Sequence, residues 1–450
     1  MSKPVFTHSS EQLKQIAQDM LLFAKEKGAS DAAVEISEGS GLSISVRKGK
    51  VETIEQNRDK GIGITVYIGQ RRGNASTSDF STQALRDTVD AAYNIARFTA
   101  EDDCAGLPDA ELLEMAPRDL ALCYPWLITA EQAIELAQRT EAAAFDVDPR
   151  ISNSEGAGVH VQQSHFIAAN SRGFLGGYPI SRHTISVAPI AGKGAKMQRD
   201  DWYSSHRNPK QLASPEAIGR YAAERALARL NARKLSTRHC AVLFEAPLAA
   251  GLLGSFVQAT SGGALYRKSS FLLDSLGTQV FPQHIQVLED PHVLGAVGSS
   301  PFDDEGVKTT RRTVVDQGVL QGYFLSCYSA RKLGMQTTGN AGGSHNLSLT
   351  SSQTKASDNF AAMLKKMGSG LLVTELMGQG VNYVTGDYSR GASGFWVEHG
   401  VIQYPVEEIT IAGNMRDMFQ QILAIGADTL VRGTKQTGSI LIEKMMIAGS

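Results

Sequence analysis

Cysteine is scarce. The 450 residues hold four, Cys104, Cys123, Cys240 and Cys327, far apart and without a CxxC pair, which excludes a disulfide framework and a thiolate zinc site. Charge of one sign is missing too. Lys and Arg number 44 against 46 Asp and Glu, a net charge of −2, so gross electrostatics point neither to nucleic acid nor to an acidic membrane surface. No apolar run reaches transmembrane length and the amino terminus has no apolar signal core, so a reducing cytoplasm is the expected compartment. Catalytic signatures are absent as well: there is no HExxH, no GxSxG elbow and no P-loop. The ten histidines are scattered. His160 and His165 lie an odd number of positions apart in a strand-like run, so they face opposite sides and do not chelate one ion.

Glycine is abundant, at 44 residues, and 42% of the chain is hydrophobic. That is ample material for two or three domains rich in turns. An amphipathic helix is expected over residues 9–28, with Ser9 and Gln12 as a capping box and Leu13, Ile16, Ala17, Met20 and Ala24 inward. Short strands follow at Ala33–Ile36, Leu42–Val46 and Val51–Ile54, the last two joined by a Lys48-Gly49 turn. Gly61–Ile68 reads as another strand; its glycines open no helix, so they are not a dinucleotide fingerprint. A second helix over Ser81–Phe98 is expected to bury Ala84, Leu85, Thr88, Ala91, Ala92 and Ile95. A third spans Ala130–Phe145, capped by Thr129 and Gln132. Strands at Val159–Ala169 and Thr184–Ala188 flank the turn Asn170–Gly173. Gly192–Ala213 reads as a polar linker or a substrate-facing loop, and Pro215–Asn231 as a helix.

From Cys240 strands dominate. Ala241–Phe244 precedes a small-residue helix at Pro247–Thr260, and Asp316-Gln317-Gly318 and His399-Gly400 read as tight hairpin turns. Repeated hairpins point to a closed or strongly curved barrel. The expected fold is α+β in two domains: residues 1–232 mixed α/β with a largely antiparallel sheet, and 239–450 β-rich and barrel-like with a few helices. Asp303-Asp304-Glu305-Gly306 is either a cation site or a polar turn. The most informative run is Leu371–Met415. Between the expected strands Val381–Val384 and Phe395–Val397 it carries a Gly-flanked loop with Asp387, Tyr388, Ser389 and Arg390, an acid, a phenol, a hydroxyl and a guanidinium, which is either a ligand-holding loop or a plain glycine-rich surface turn.

Several blocks resemble the PmbA/TldE proteins: Thr374–Gly380, Thr385–Ala392, Tyr266–Gly277, Pro301–Val307, Ser329–Gly334, Gly61–Tyr67 and Arg233–Thr237. The resemblance spans essentially the whole chain. It implies a subunit that pairs with a related TldD-like chain in a cytoplasmic metallopeptidase, one that cleaves unfolded peptides in peptide-antibiotic maturation and antitoxin degradation. A homodimer is the alternative when the partner is missing. In the TldD sister an HExxxH helix and a later cysteine hold the metal. Aligned by hand, the two histidine positions are Glu245 and Ala250 here, the glutamate position is Ala246, and the cysteine falls near Thr437. The resemblance therefore implies no metal bound by this chain, zinc in the partner, and Asp387, Tyr388, Ser389 and Arg390 as substrate or partner contacts. Neither membrane nor direct nucleic acid binding is expected. Two other readings stay open: a peptidase active alone through Glu375, Asp387 or Glu398, and a regulatory binding protein, since the family has also been named as a modulator of DNA gyrase.

Overall fold

The computed structural model describes residues 6–449. They divide into two compact units, one running through Leu227 and including Leu294–Thr309, the other comprising Ala228–Val293 and the chain from Thr310 onward. The sixteen or so residues from Leu294 thus join the amino-terminal unit, although they lie within the stretch that the sequence assigns to the carboxy-terminal domain.

The amino-terminal unit is built on one antiparallel sheet. Its long strands are Asp31–Arg47, Lys50–Ile68, Ile151–Asn170 and Leu175–Ala191, with Arg71–Thr77 at one edge. The separate short strands expected between residues 33 and 68 are fused into two long ones. Polar stretches such as Glu55–Lys60 are exposed but paired, because the hairpin register continues from the buried ends. Its turn holds, with Lys48 at φ 51° and Gly49 at φ 70°. Gly192–Ala213 is not a plain linker: Trp202–His206 pairs with Leu175–Ala191.

Helices at Ser10–Glu26 and Thr82–Phe98 cover one end of this sheet, packing Leu13, Met20, Leu85 and Val89 against Val34, Ile36, Ile64 and Val66. The first helix carries the expected capping box of Ser9 and Gln12. The second buries Leu85, Thr88 and Ala92 as expected, with Val89 and Ala96 beside them, while Ala91 and Ile95 are exposed. The third helix, Ala130–Phe145, is capped by Thr129 and Gln132 and covers a second apolar cluster with Ala133 and Ala137.

The carboxy-terminal unit holds a closed ring. Arg238–Phe244 pairs in parallel with Gly370–Met377, which pairs with Asp387–Glu398, then Val401–Asn414, then Ile440–Ala448, which returns to Arg238–Phe244. Closure removes free edges from these five strands. The turn at His399 and Gly400 has φ values of 51° and 75°, the left-handed pair of a type I′ hairpin. A second sheet, with Ile285–Asp290, Arg312–Asp316 and Asn346–Ser351 at its centre, stands beside the ring and shares a core that includes Phe256, Phe281 and Phe419. Val381–Val384 is not a strand. The Asn382 side chain accepts from the N–H groups of Val384 and Thr385, making a turn there. Asp387–Arg390, expected in a loop, begins a twelve-residue strand.

The start of the amino-terminal unit is clasped by Glu38, which is 7% exposed. Its carboxylate accepts the backbone N–H of Thr7 at 2.5 Å and of His8 at 3.0 Å. Burial opposes ionisation, but these donors outweigh it and hold the pKa near 2. A depressed carboxylate stabilises the fold above its unfolded value, near 4.3, and that contribution is lost as pH falls through 2. Glu38→Gln is therefore expected to lower stability by roughly 2 kcal/mol at pH 7. In urea unfolding, the gap to the parent protein should narrow as pH falls below about 4 towards 2, where the native carboxylate becomes protonated.

Candidate functional site

The centre of the carboxy-terminal unit is the exit of strand Arg238–Phe244. This strand is paired on both sides, so the chain leaves it in a fixed direction. Glu245 follows. Its N–H donates to Val373 O at 3.1 Å, and its carbonyl accepts the first helical bonds from Leu248 and Ala249, both at 2.9 Å. It is the N-cap of the helix Ala246–Ala259, whose Pro247 sits in the first turn where a missing N–H costs nothing. The helix is apolar and packs against the strand Lys435–Thr437. Helical spacing puts Ala246, Ala250 and Gly254 on one face, and a Cβ at Gly254 would stand 3.6 Å from Lys435 Cε.

Of the four positions aligned with the metal motif, Ala246 and Ala250 share one helix face, Glu245 caps the helix start, and Thr437 lies on the strand packed against that helix. Ala246 is 4% exposed, Ala250 6% and Thr437 1%. The donor set does not fit a transition metal. The two alanines offer no lone pair, and Thr437 Oγ1 donates to Gly438 O at 3.1 Å. Only Glu245 has a ligating group. Among the described residues no group of three or more His, Cys, Asp or Glu is placed to hold a metal ion. A cation of another kind lies close by: Lys435 is half-buried, and burial lowers its ammonium pKa.

Asp387, Tyr388, Ser389 and Arg390 are split by strand alternation. Asp387 and Ser389 are exposed, whereas Tyr388 is 2% exposed and faces the core. Asp387 receives the Thr385 hydroxyl at 2.6 Å and Asn414 Nδ2 at 3.3 Å, so it secures the preceding turn. Ser389 donates its N–H to Gly380 O at 2.7 Å, an approach so close that a Cβ at Gly380 would overlap Ser389 O. Arg390 is half-buried on the Tyr388 side. Arg390 does not pair with Asp387, because residues three apart in a strand point to opposite faces. The Arg390 Nε is buried and meets no hydrogen-bond acceptor. Burial pushes the Tyr388 hydroxyl up to about 12, against the opposing pull of the Arg390 guanidinium.

Of the three carboxylates considered for a peptidase acting alone, Glu375 forms an ion pair with Arg229, and Glu398 accepts from Trp396 Nε1 at 2.8 Å. Asp387 is engaged as described. The structure does not bring the three together.

Two features escaped sequence reading. The first is a cleft of about 350 Å³ between Ser348–Ser351 and the segments at Ile425–Ala427, Gln436 and Gly438. It opens because Asn346–Ser351 meets Lys435–Thr437 over only two residue pairs, at Leu347 and Ser348. The second is a buried charge network. Glu289, 1% exposed, accepts Arg312 Nε at 2.7 Å, Asn340 Nδ2 at 2.8 Å, and both the His345 N–H at 2.8 Å and its ring Nδ1 at 3.1 Å. These donors and the Arg312 charge hold its carboxyl low despite the opposing effect of burial. The residues lie far apart in sequence, so no local pattern announces them.

Comparisons place these observations in a family. Three profiles match: the PmbA/TldA metallopeptidase domain 1 over residues 32–96, the central domain over 123–230 and the C-terminal domain over 237–449. Metalloprotease PmbA of Escherichia coli O157:H7 is 48% identical over 423 residues, 94% of this chain and 93% of its own. A crystal structure from Bacteroides thetaiotaomicron, titled as a proposed modulator of DNA gyrase, superposes with a TM-score of 0.92 at 26% identity, covering 98% of this chain and 99% of that one. TldE from Thermococcus kodakarensis shares the fold, with a TM-score of 0.83 at 19% identity over 96% of this chain and all (100%) of its own.

Removing the Glu289 carboxylate strands the Arg312 guanidinium in the interior. Glu289→Ala is expected to cost about 3–5 kcal/mol in denaturant unfolding, and Glu289→Gln, which keeps acceptor capacity, less.

Proposed function

Because the chain belongs to the PmbA/TldD metallopeptidase family, we propose that it is a peptide-holding subunit that leaves the metal chemistry to a TldD-like partner. The observation that carries this reading is the donor set on the helix Ala246–Ala259: alanine at two positions and a hydrogen-bonded threonine at the cysteine position. Zinc in the partner would supply the Lewis acid; this chain's own residues bind and orient the peptide.

Two features support that role. The Arg390 guanidinium is unpaired by a carboxylate and lies beside Tyr388, a site suited to a peptide carboxylate. The cleft beside Leu349–Ser351 leaves part of a strand without a neighbour on one side, where an extended peptide would gain backbone hydrogen bonds regardless of its side chains. Such recognition suits unfolded substrates. In the cell the same arrangement would serve maturation of a peptide precursor or removal of an unfolded antitoxin, in the cytoplasm.

Cleavage of an unfolded peptide such as denatured casein tests the proposal. The purified chain with added zinc should be inactive, and mixing it with the TldD-like subunit of the same organism should give cleavage. In that mixture Arg390→Ala should raise KM about tenfold and change kcat little. Cleavage by the purified chain alone would overturn the proposal.

A further inference from the structure

The amino-terminal unit contains a cavity of about 890 Å³ that plays no part in the function proposed above. Sheet register builds it. Ser37 lies between Gly61 and Phe166, and Phe166 lies beside Tyr178. Two residues along, Glu35 lies between Gly63 and Ala168, with Ser76 beyond Gly63. Strand alternation turns Glu35 and Ser37 away from Ile36, which is buried under the helices. These residues therefore line the other face of the sheet.

One side of the cavity is aromatic. Phe166 and Tyr178 stand edge to face at 4.7 Å, and Phe302 packs on both, at 6.1 Å and 5.5 Å. The other side is a trough, since a Cβ at Gly61 or Gly63 would meet no atom within 4 Å. Glu35, Asp303 and Asp304 place carboxylates in the lining, while no Lys, Arg or His contributes to it. The acidic run at Asp303–Gly306 thereby resolves into two roles. Asp303 Oδ1 holds the turn by accepting from the N–H groups of Glu305 and Val307, both at 2.9 Å, and both Asp303 and Asp304 line the cavity. Glu35 is exposed at the open side of this hollow, and desolvation by the surrounding protein, and secondly the charge of Asp304, raise its pKa.

A metal ion is a poor match, because no cluster of three or more His, Cys, Asp or Glu among the described residues is arranged to hold one. An organic cation matches every wall. Its charge would meet carboxylates, its aliphatic stem would lie on aromatic rings, and hydroxyls of Ser37 and Ser76 would take further N–H donors. We propose that this cavity binds the guanidinium or ammonium head of an arginine or lysine side chain on an extended peptide. Glu35 is the charge partner, and the Phe166, Tyr178 and Phe302 wall is the seat for the stem. The proposal rests on this cavity alone and stands or falls separately from the division of labour in peptide cleavage.

Isothermal titration of the full chain tests it without any activity assay. The ligands are acetyl-Gly-Arg-Gly-amide, acetyl-Gly-Lys-Gly-amide, the neutral citrulline analogue, and spermidine as a free amine. The basic peptides should bind at least tenfold more tightly than the citrulline peptide. Glu35→Gln should remove at least tenfold of that affinity, and Gly63→Val, which fills the trough at a strand position compatible with valine, should do the same. Spermidine should bind more weakly than the peptides, and tighter binding of spermidine would overturn the assignment of a peptide side chain. Equal binding of the citrulline peptide, unchanged affinity in both correctly folded variants, or no binding by any ligand would overturn the cation site itself.

Discussion

The parallel pairing of Arg238–Phe244 with Gly370–Met377 is the constraint on which the carboxy-terminal unit depends. It closes the five-strand ring, because the remaining neighbours of these two strands are antiparallel hairpins and the terminal strand. It also fixes where the chain turns from strand to helix. Glu245 is tied to Val373 through its N–H, so the helix Ala246–Ala259 starts at one place and presents one face to Lys435–Thr437. A family built for metallopeptidase chemistry thus keeps its scaffold here, while the inward residues of that face are small and apolar. The surrounding core is continuous, and burying alanine against a strand stabilises the packing where an unfilled set of ligands would leave buried polar groups unsatisfied.

Much of this was legible in the sequence, and for local reasons. Ser9 with Gln12 and Thr129 with Gln132 mark helix starts because each pair satisfies backbone donors within one turn. The His399-Gly400 and Gln317-Gly318 turns follow from the positive φ that tight hairpins demand. The α+β character and the barrel followed from repeats of such signals. What local pattern could not supply was pairing over distance. Glu55–Lys60 reads as polar and irregular, yet its backbone is held in a strand by a register set at the hairpin turn and at the buried ends. Asp387–Arg390 reads as a glycine-rich loop, yet Val401–Asn414 captures it through pairs reaching from Asp387 to Glu398.

The candidate site was legible in part for the same reason. The residues aligned with a metal motif could be named from the resemblance, and they stand at the start and along one face of a helix and on the strand packed against it. The side-chain directions at Tyr388 and Arg390 needed the strand, since alternation is what separates Arg390 from Asp387 and leaves the guanidinium beside a buried phenol. The Glu289, Arg312, Asn340 and His345 network needed three chain segments to meet. The organic-cation cavity needed the sheet rows that set Glu35 between glycine and alanine and opposite an aromatic wall.

The central claim is chemical: a lone glutamate, an alanine and an internally bonded threonine cannot replace two imidazoles and a thiolate as ligands. Elemental analysis of the purified chain after equilibration with zinc and passage over a weak chelator tests it most directly. The account predicts far less than one zinc per chain, unchanged when Glu245 is replaced by alanine. One tightly held zinc per chain, lost on that replacement, would contradict it.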